Sequence, residues 1–179
     1  MVVNKKTRHH NYNGARLRRS VAGLLVMLGS AFAHGGPTAD FTGTWSVAWC
    51  DKARPGNDCG GFMVHLLQQG SKLCGTHSGA TPNLSRLDEG GDQSIVGTVM
   101  EDTAVLTIRS GRNDSIHLVT ARRQSGALDW ELSDTVLKSD SDTEIIPTKE
   151  RLSKATAATH AQGFGGMQQA CLARWQTAR

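Results

Sequence analysis

Residues 94–133 read SIVGTVMEDTAVLTIRSGRNDSIHLVTARRQSGALDWELS, and this stretch decides the fold. It divides into Ser94–Met100, Thr103–Ser110, Ser115–Arg123 and Ala127–Ser133, each rich in β-branched and apolar residues. The separators are Glu101-Asp102, Gly111-Arg112-Asn113-Asp114 and Gln124-Ser125-Gly126, residues that make tight turns. Strands joined this closely pair as antiparallel neighbours, because a parallel crossover needs a far longer connection.

The same grammar extends outward in both directions. Gly43–Cys50 alternates, with Trp45, Val47 and Trp49 on one side. Phe62–Gln68 puts Phe62, Val64 and Leu66 on one face, and Gln69-Gly70-Ser71 turns the chain back into Lys72–His77. Residues 78–93 carry Gly79, Pro82, Asn83, Gly90 and Gly91 and read as the longest loop. A polar loop, Lys138 to Asp142, precedes a last strand from Thr143 to about Leu152, in which Pro147 argues for an edge or a bulge. About eight short strands with no helix between them predict an all-β domain over residues 34–154. Sequential hairpins favour an eight-stranded antiparallel up-and-down barrel over a sandwich with Greek-key crossings. In the tail, residues 155–179, Met167, Ala170, Cys171, Arg174 and Trp175 recur at helical spacing and predict a short amphipathic helix.

The first 33 residues read differently. Lys5, Lys6, Arg8, Arg16, Arg18 and Arg19 precede an apolar run from Val21 to Ala33, which ends in Ala31-Phe32-Ala33, the small-x-small pattern of a signal-peptidase site. The 13-residue run is shorter than the roughly 20 residues a membrane helix needs. The expectation is a cleaved signal peptide and a protein that works in the periplasm or outside the cell. The Arg18-Arg19 pair leaves twin-arginine and general export both open. The chain has 20 Lys and Arg against 16 Asp and Glu; the leader holds six of those bases and no acid, so residues 34–179 carry 14 bases, 16 acids and a formal charge of −2. A basic footprint for nucleic acid or an anionic membrane therefore disappears with the leader.

Four cysteines remain: Cys50, Cys59, Cys74 and Cys171. An even count in an exported chain predicts disulfides, with three possible connectivities. Cys50–Cys59 is favoured because the two bracket a short loop between strands, leaving Cys74 with Cys171 to tie down the tail. No C-x-x-C pair is present, so a zinc site is not expected.

Phe41-Thr42-Gly43-Thr44-Trp45 resembles the G-x-W opening of the calycins, the lipocalin and avidin group. The resemblance implies a Trp packed over one end of a barrel beside an Arg from the last strand, for which Arg151 is the matching residue. The Thr-Asp-aromatic motif of many lipocalins and the biotin-contacting set of avidins are absent. A second likeness covers most of residues 41–133: Cys59-Gly60, Glu89-Gly90-Gly91, Ala104-Val105-Leu106 and Ser110-Gly111-Arg112-Asn113 are similar to segments of uncharacterised small exported β-barrel proteins of bacteria. That likeness implies a bacterial source and a shared β fold and brings no activity with it.

No nucleophile elbow and no nameable nucleophile–base–orienter set is present, so no catalytic residues and no enzymatic activity are expected. Cleavage after Ala33 would expose the amine and imidazole of His34, which could chelate copper with a second His such as His65, His77 or His117. Gly35-Gly36-Pro37 behind it makes an ordinary chain end the simpler reading, and no metal or cofactor is expected. The apolar stripes are Trp45, Val47, Trp49, Val64, Leu66, Leu106, Ile108, Leu118, Leu128 and Trp130, interrupted by His65, Arg109 and His117. A barrel of this size either fills with side chains or holds one small ligand. If it holds a small, partly apolar ligand, Trp45, Trp49, His65, Arg109, His117 and Trp130 are the residues that would line the pocket; otherwise the polar three face solvent. The alternative is a protein-interaction module, such as an inhibitor of a cell-wall hydrolase, presenting the 78–93 loop or the 111–114 turn to a secreted or periplasmic protein.

Overall fold

The computed structural model describes residues 39–56, 58–140 and 145–177. The segment read as a leader, and His34 after it, lie outside the described residues.

The strands are β1 (Gly43–Trp49), β2 (Gly60–Gln69), β3 (Lys72–Ala80), β4 (Leu87–Glu89), β5 (Ile95–Met100), β6 (Thr103–Arg109), β7 (Ile116–Gln124), β8 (Ala127–Leu137) and β9 (Lys149–Lys154), followed by helix α1 (Ala157–Thr177). All pair antiparallel, and eight of them, all but β4, close into a ring in sequence order. The barrel is the expected up-and-down meander. Its extra strand, β4, is cut from the segment read as a loop: Ser78–Ala80 of β3 pairs with β4 while Lys72–Gly75 pairs with β5. The last strand starts at Lys149, so Pro147 precedes it rather than interrupting it. The closing seam is short, with Trp45↔Lys154 and Ser46↔Ser153 as its register pairs. Above them the Trp49 indole N–H spans the seam to Glu150 Oε1 at 2.9 Å.

Alternation along each strand sends apolar residues inward and charges outward. The inward set includes Trp45, Phe62, Val64, Leu66, Leu106, Ile108, Val119, Leu128 and Trp130, each at most 2% exposed. The charged outer residues, among them Arg122, Glu131, Lys149 and Arg151, are exposed. This is the reverse of a lipid-spanning barrel, which shows an apolar band outward. Among the described residues no helix is long and apolar enough to cross a membrane. Leu118, expected inside, points out: register shifts at Ile116/His117 and Leu118/Val119 against β8 accompany an inward set of His117, Val119 and Ala121.

One end of the barrel is shut by Trp45, which is fully buried and donates its indole N–H to the Phe41 carbonyl at 3.0 Å. The cation over its ring is Arg123 of β7, 4.1 Å from the centroid, with Lys154 of β9 at 5.4 Å. Arg151, the residue expected there, faces out and pairs with Asp129. Leu152 takes the inward position next to it, and alternation then forces Arg151 outward.

Disulfides join Cys50 to Cys59 and Cys74 to Cys171, the favoured pairing. The second fastens α1 to the barrel wall. Met167, Cys171 and Trp175, four residues apart, are buried beside Cys74 and Leu67 on the outer face of β2 and β3. Ala170 accepts from the Gln93 side-chain amide at 3.0 Å, and Arg174 donates to Gln93 Oε1 at 3.3 Å.

Candidate functional site

The residues that would line an interior pocket do not come together. Trp45 sits at the shut end, and Trp49 and Trp130 at the other, where both pack on or near Phe62. His117 points in and is buried, held between Ser115 Oγ at 2.8 Å and Thr135 Oγ1 at 3.1 Å. His65 is buried on the outer face, the face that α1 covers, with Thr44 Oγ1 2.7 Å from its Nδ1. Arg109 is a surface residue paired with Asp114 at 3.0 Å. Between these points the interior is packed: Ile95, Ala104, Leu106, Ile108, Val119 and Leu128 show no accessible surface. A void large enough for a ligand would expose its lining to solvent-sized probes, so the described interior is filled by side chains.

The rim opposite Trp45 holds the polar cluster that the sequence reading missed. Asp88, the inward residue of β4, is 1% exposed. Its carboxylate accepts from Ser110 Oγ at 2.7 Å, from the Gly111 N–H at 2.8 Å and from the Arg112 N–H at 3.2 Å. His77 Nε2 lies 3.4 Å from Asp88 Oδ1, an ion-pair distance but too poor for a hydrogen bond. Burial pushes the Asp88 carboxyl up, but the His77 and Ser110 contacts, the His77 charge and the Gly111 N–H outweigh it and hold the group below its ordinary value. The effect is to bolt β4 onto the β6–β7 turn.

On its other side His77 Nδ1 is 2.9 Å from Ser94 Oγ, so Ser94, His77 and Asp88 stand in nucleophile–base–acid order. The packing argues for a structural tie. A Cβ on Gly90 would lie 2.2 Å from Ser94 Oγ and 2.4 Å from His77 Nδ1, so the Gly90 backbone seals the hydroxyl from that side. A Cβ on Gly111 would lie 1.9 Å from the Glu89 carbonyl, which shows how closely the two segments meet. Both glycines belong to the Glu89-Gly90-Gly91 and Ser110-Gly111-Arg112-Asn113 segments singled out in the sequence. Those segments were the available signal for this cluster. Among the described residues no group of three or more His, Cys, Asp and Glu is arranged to hold a metal ion.

With β4 fixed, a groove of about 410 Å³ opens on the outer face of β1 to β4. Register explains it. Ser46, Met63, Ser78 and Glu89 form one row across the four strands, and Ala48, Gly61, Ala80 and Leu87 the next. Small side chains on three strands leave a trough, and Leu87 and Glu89 make its far wall. Gly61 has no alternative residue, since a Cβ there would lie 2.5 Å from the Val47 carbonyl. The Cys50–Cys59 bridge clamps the trough's upper end. Beside it, Leu84 and Leu87 are 51% and 49% exposed. Leu84 and the preceding Asn83 have φ of 51° and 64°, the left-handed region, which Asn tolerates and a bulky Leu rarely adopts. Strain is thus stored where an apolar side chain is held out in water.

A larger hollow, about 550 Å³, lies on the outer face of β7 to β9. Four of its charges are paired with each other, Arg151 with Asp129 and Lys149 with Glu131; Arg122 lies 4.0 Å from Asp102, and Glu150 accepts the Trp49 indole N–H.

No protein family, curated protein or solved structure matches this chain.

Proposed function

We propose that the chain is an exported, non-enzymatic binding module that docks a partner protein on the outer face of β1 to β4. The observation that carries this reading is the strained, half-exposed Leu84 standing with Leu87 beside a trough floored by small side chains, on a barrel whose interior is filled. Backbone outliers that persist at an exposed position are over-represented at functional sites, where the surrounding structure holds the strain for a purpose. An exposed apolar ledge beside a rigid concavity is the usual anatomy of a contact surface. The two disulfides support an oxidising compartment, as export implies. A periplasmic or secreted cell-wall hydrolase fits as partner class, because residues 34–179 carry a formal charge of −2 and complementary charge speeds encounter with a basic enzyme. The packed interior moves the binding surface from the inside of the barrel to the outside.

Site-specific photo-crosslinking in the producing cells tests the reading. A benzophenone side chain at Leu84 or Leu87 yields one discrete heavier adduct, while the same group at Thr120, on the outer face of β7, yields none. Equal yields at all three positions, or no adduct at any, rejects the site.

A further inference from the structure

We infer that the shut end of the barrel holds a small oxyanion, a carboxylate or phosphate group, between Arg123 and Lys154. The two cations enter a hollow of about 360 Å³ that the Ser125-Gly126 turn also lines. Arg123 comes from the end of β7 and Lys154 from the end of β9, and both lie against the Trp45 ring, at 4.1 Å and 5.4 Å from its centroid. Stacking on the indole fixes the plane of the guanidinium and leaves its edge for ligand. One nitrogen of that edge is engaged, Nη1 donating to the Ala127 carbonyl at 3.0 Å, while Nε is buried without a partner.

Charge balance at this end is what points to an anion. Arg54 in the loop after β1, and Arg109, Lys149 and Arg151 on the wall, each have a carboxylate within 4.0 Å. Among the described residues neither Arg123 nor Lys154 has one. The acid that shares the hollow is Asp40, and its Oδ1 already accepts the Thr42 N–H at 2.8 Å. Two cations therefore face one partly satisfied carboxylate. Burial pulls the Arg123 guanidinium down from its ordinary value while Asp40 raises it, the mark of a charge short of solvation. Ser125 and Gly126, at φ of 50° and 78°, form a left-handed turn whose main-chain N–H groups are not drawn into the strand ladder. Such a turn is a ready donor for an oxyanion beside fixed cations. The hollow is about ten times the volume share of one water molecule, so the anionic group can carry a small body with it.

The test is an amide NMR titration with sodium phosphate and with sodium acetate, each against sodium chloride at equal ionic strength. The wild-type barrel should show saturable shifts of the Ser125 and Gly126 amides and the Trp45 indole with at least one of the two oxyanions and none with chloride. Lys154→Gln, an exposed change that keeps the fold, should weaken that binding about fivefold, the scale of one partly exposed charge contact. Arg123→Gln should abolish it, with the melting temperature checking that the barrel survives. Shifts matched by chloride, or unchanged in Lys154→Gln, overturn the site.

Discussion

Replacing Asp88 with Ala removes the bolt between β4 and the β6–β7 turn, and its effect can be worked from the contacts. Two donors lose their acceptor, Ser110 Oγ and the Gly111 N–H, while the Arg112 N–H keeps only its bond to Ser110 Oγ at 3.1 Å. His77, 2% exposed, loses the carboxylate 3.4 Å from its Nε2. Hydrogen bonds to a charged acceptor are worth about 1.5–3 kcal/mol each, but water reaches part of the turn and recovers some of that. Breaking one side of a buried charged network leaves about 3–5 kcal/mol of destabilisation. In a domain of this length such a loss lowers the melting temperature by roughly 10–15 °C. Asp88→Asn keeps an acceptor for the turn N–H groups and loses the charge, so it should fall near half the Ala effect, about 2 kcal/mol. The assay is urea unfolding followed by tryptophan fluorescence, with a double-mutant cycle against Ser110→Ala. The cycle should return a coupling of about 1–2 kcal/mol between the two side chains. An Asp88→Ala loss under about 1 kcal/mol would refute the account of the bolt, because unsatisfied buried donors do not come so cheaply.

Asp88 also sets an acid limit. Its folded-state carboxyl lies below the ordinary value, so its contribution is complete above about pH 4 and is lost as pH falls through the folded value. Wild-type stability should drop more steeply than that of Asp88→Asn between about pH 5 and about pH 3 in parallel urea titrations. Gly111→Ala, which places a Cβ 1.9 Å from the Glu89 carbonyl, should destabilise by about 2–3 kcal/mol, whereas Gly91→Ala, with open space around it, should be neutral or slightly stabilising in the same assay. Loss of Cys74–Cys171, which spans 97 residues, should weaken the fold by about 4–5 kcal/mol, against about 2–3 kcal/mol for Cys50–Cys59, which spans nine, by calorimetry of paired Cys→Ser variants.

The barrel was legible because inward apolar residues alternate along most strands and the turns between them are short. Strand β4 was not, because Leu87-Asp88-Glu89 turns a carboxylate inward and has no apolar alternation to read. Its neighbours Glu89-Gly90-Gly91 and Ser110-Gly111-Arg112-Asn113 were noticed as segments, but only tertiary contact shows that they meet. The Trp over the barrel end was legible from Gly43-Thr44-Trp45, and its cationic partner was not. β9 is almost wholly polar, so its inward face is decided by Leu152 alone, and a one-residue error in face exchanges Arg151 for an outward position. Leu118 failed for a related reason, since the irregular pairing of β7 with β8 is set by the partner strand. The trough is a property of register: Ser46, Ala48, Gly61, Ser78 and Ala80 are unremarkable singly and adjacent only across strands.

The claim that everything rests on is a packed barrel that binds from outside. Titration of the protein, labelled at its Leu, Val and Ile methyl groups, with a fluorescent fatty acid probes it most directly. A filled barrel gives no saturable binding, and no shift of the inward methyl groups of Leu106, Ile108 and Leu128. Saturable binding with shifts centred on those methyl groups would contradict it, and would return the function to a ligand carried within the barrel.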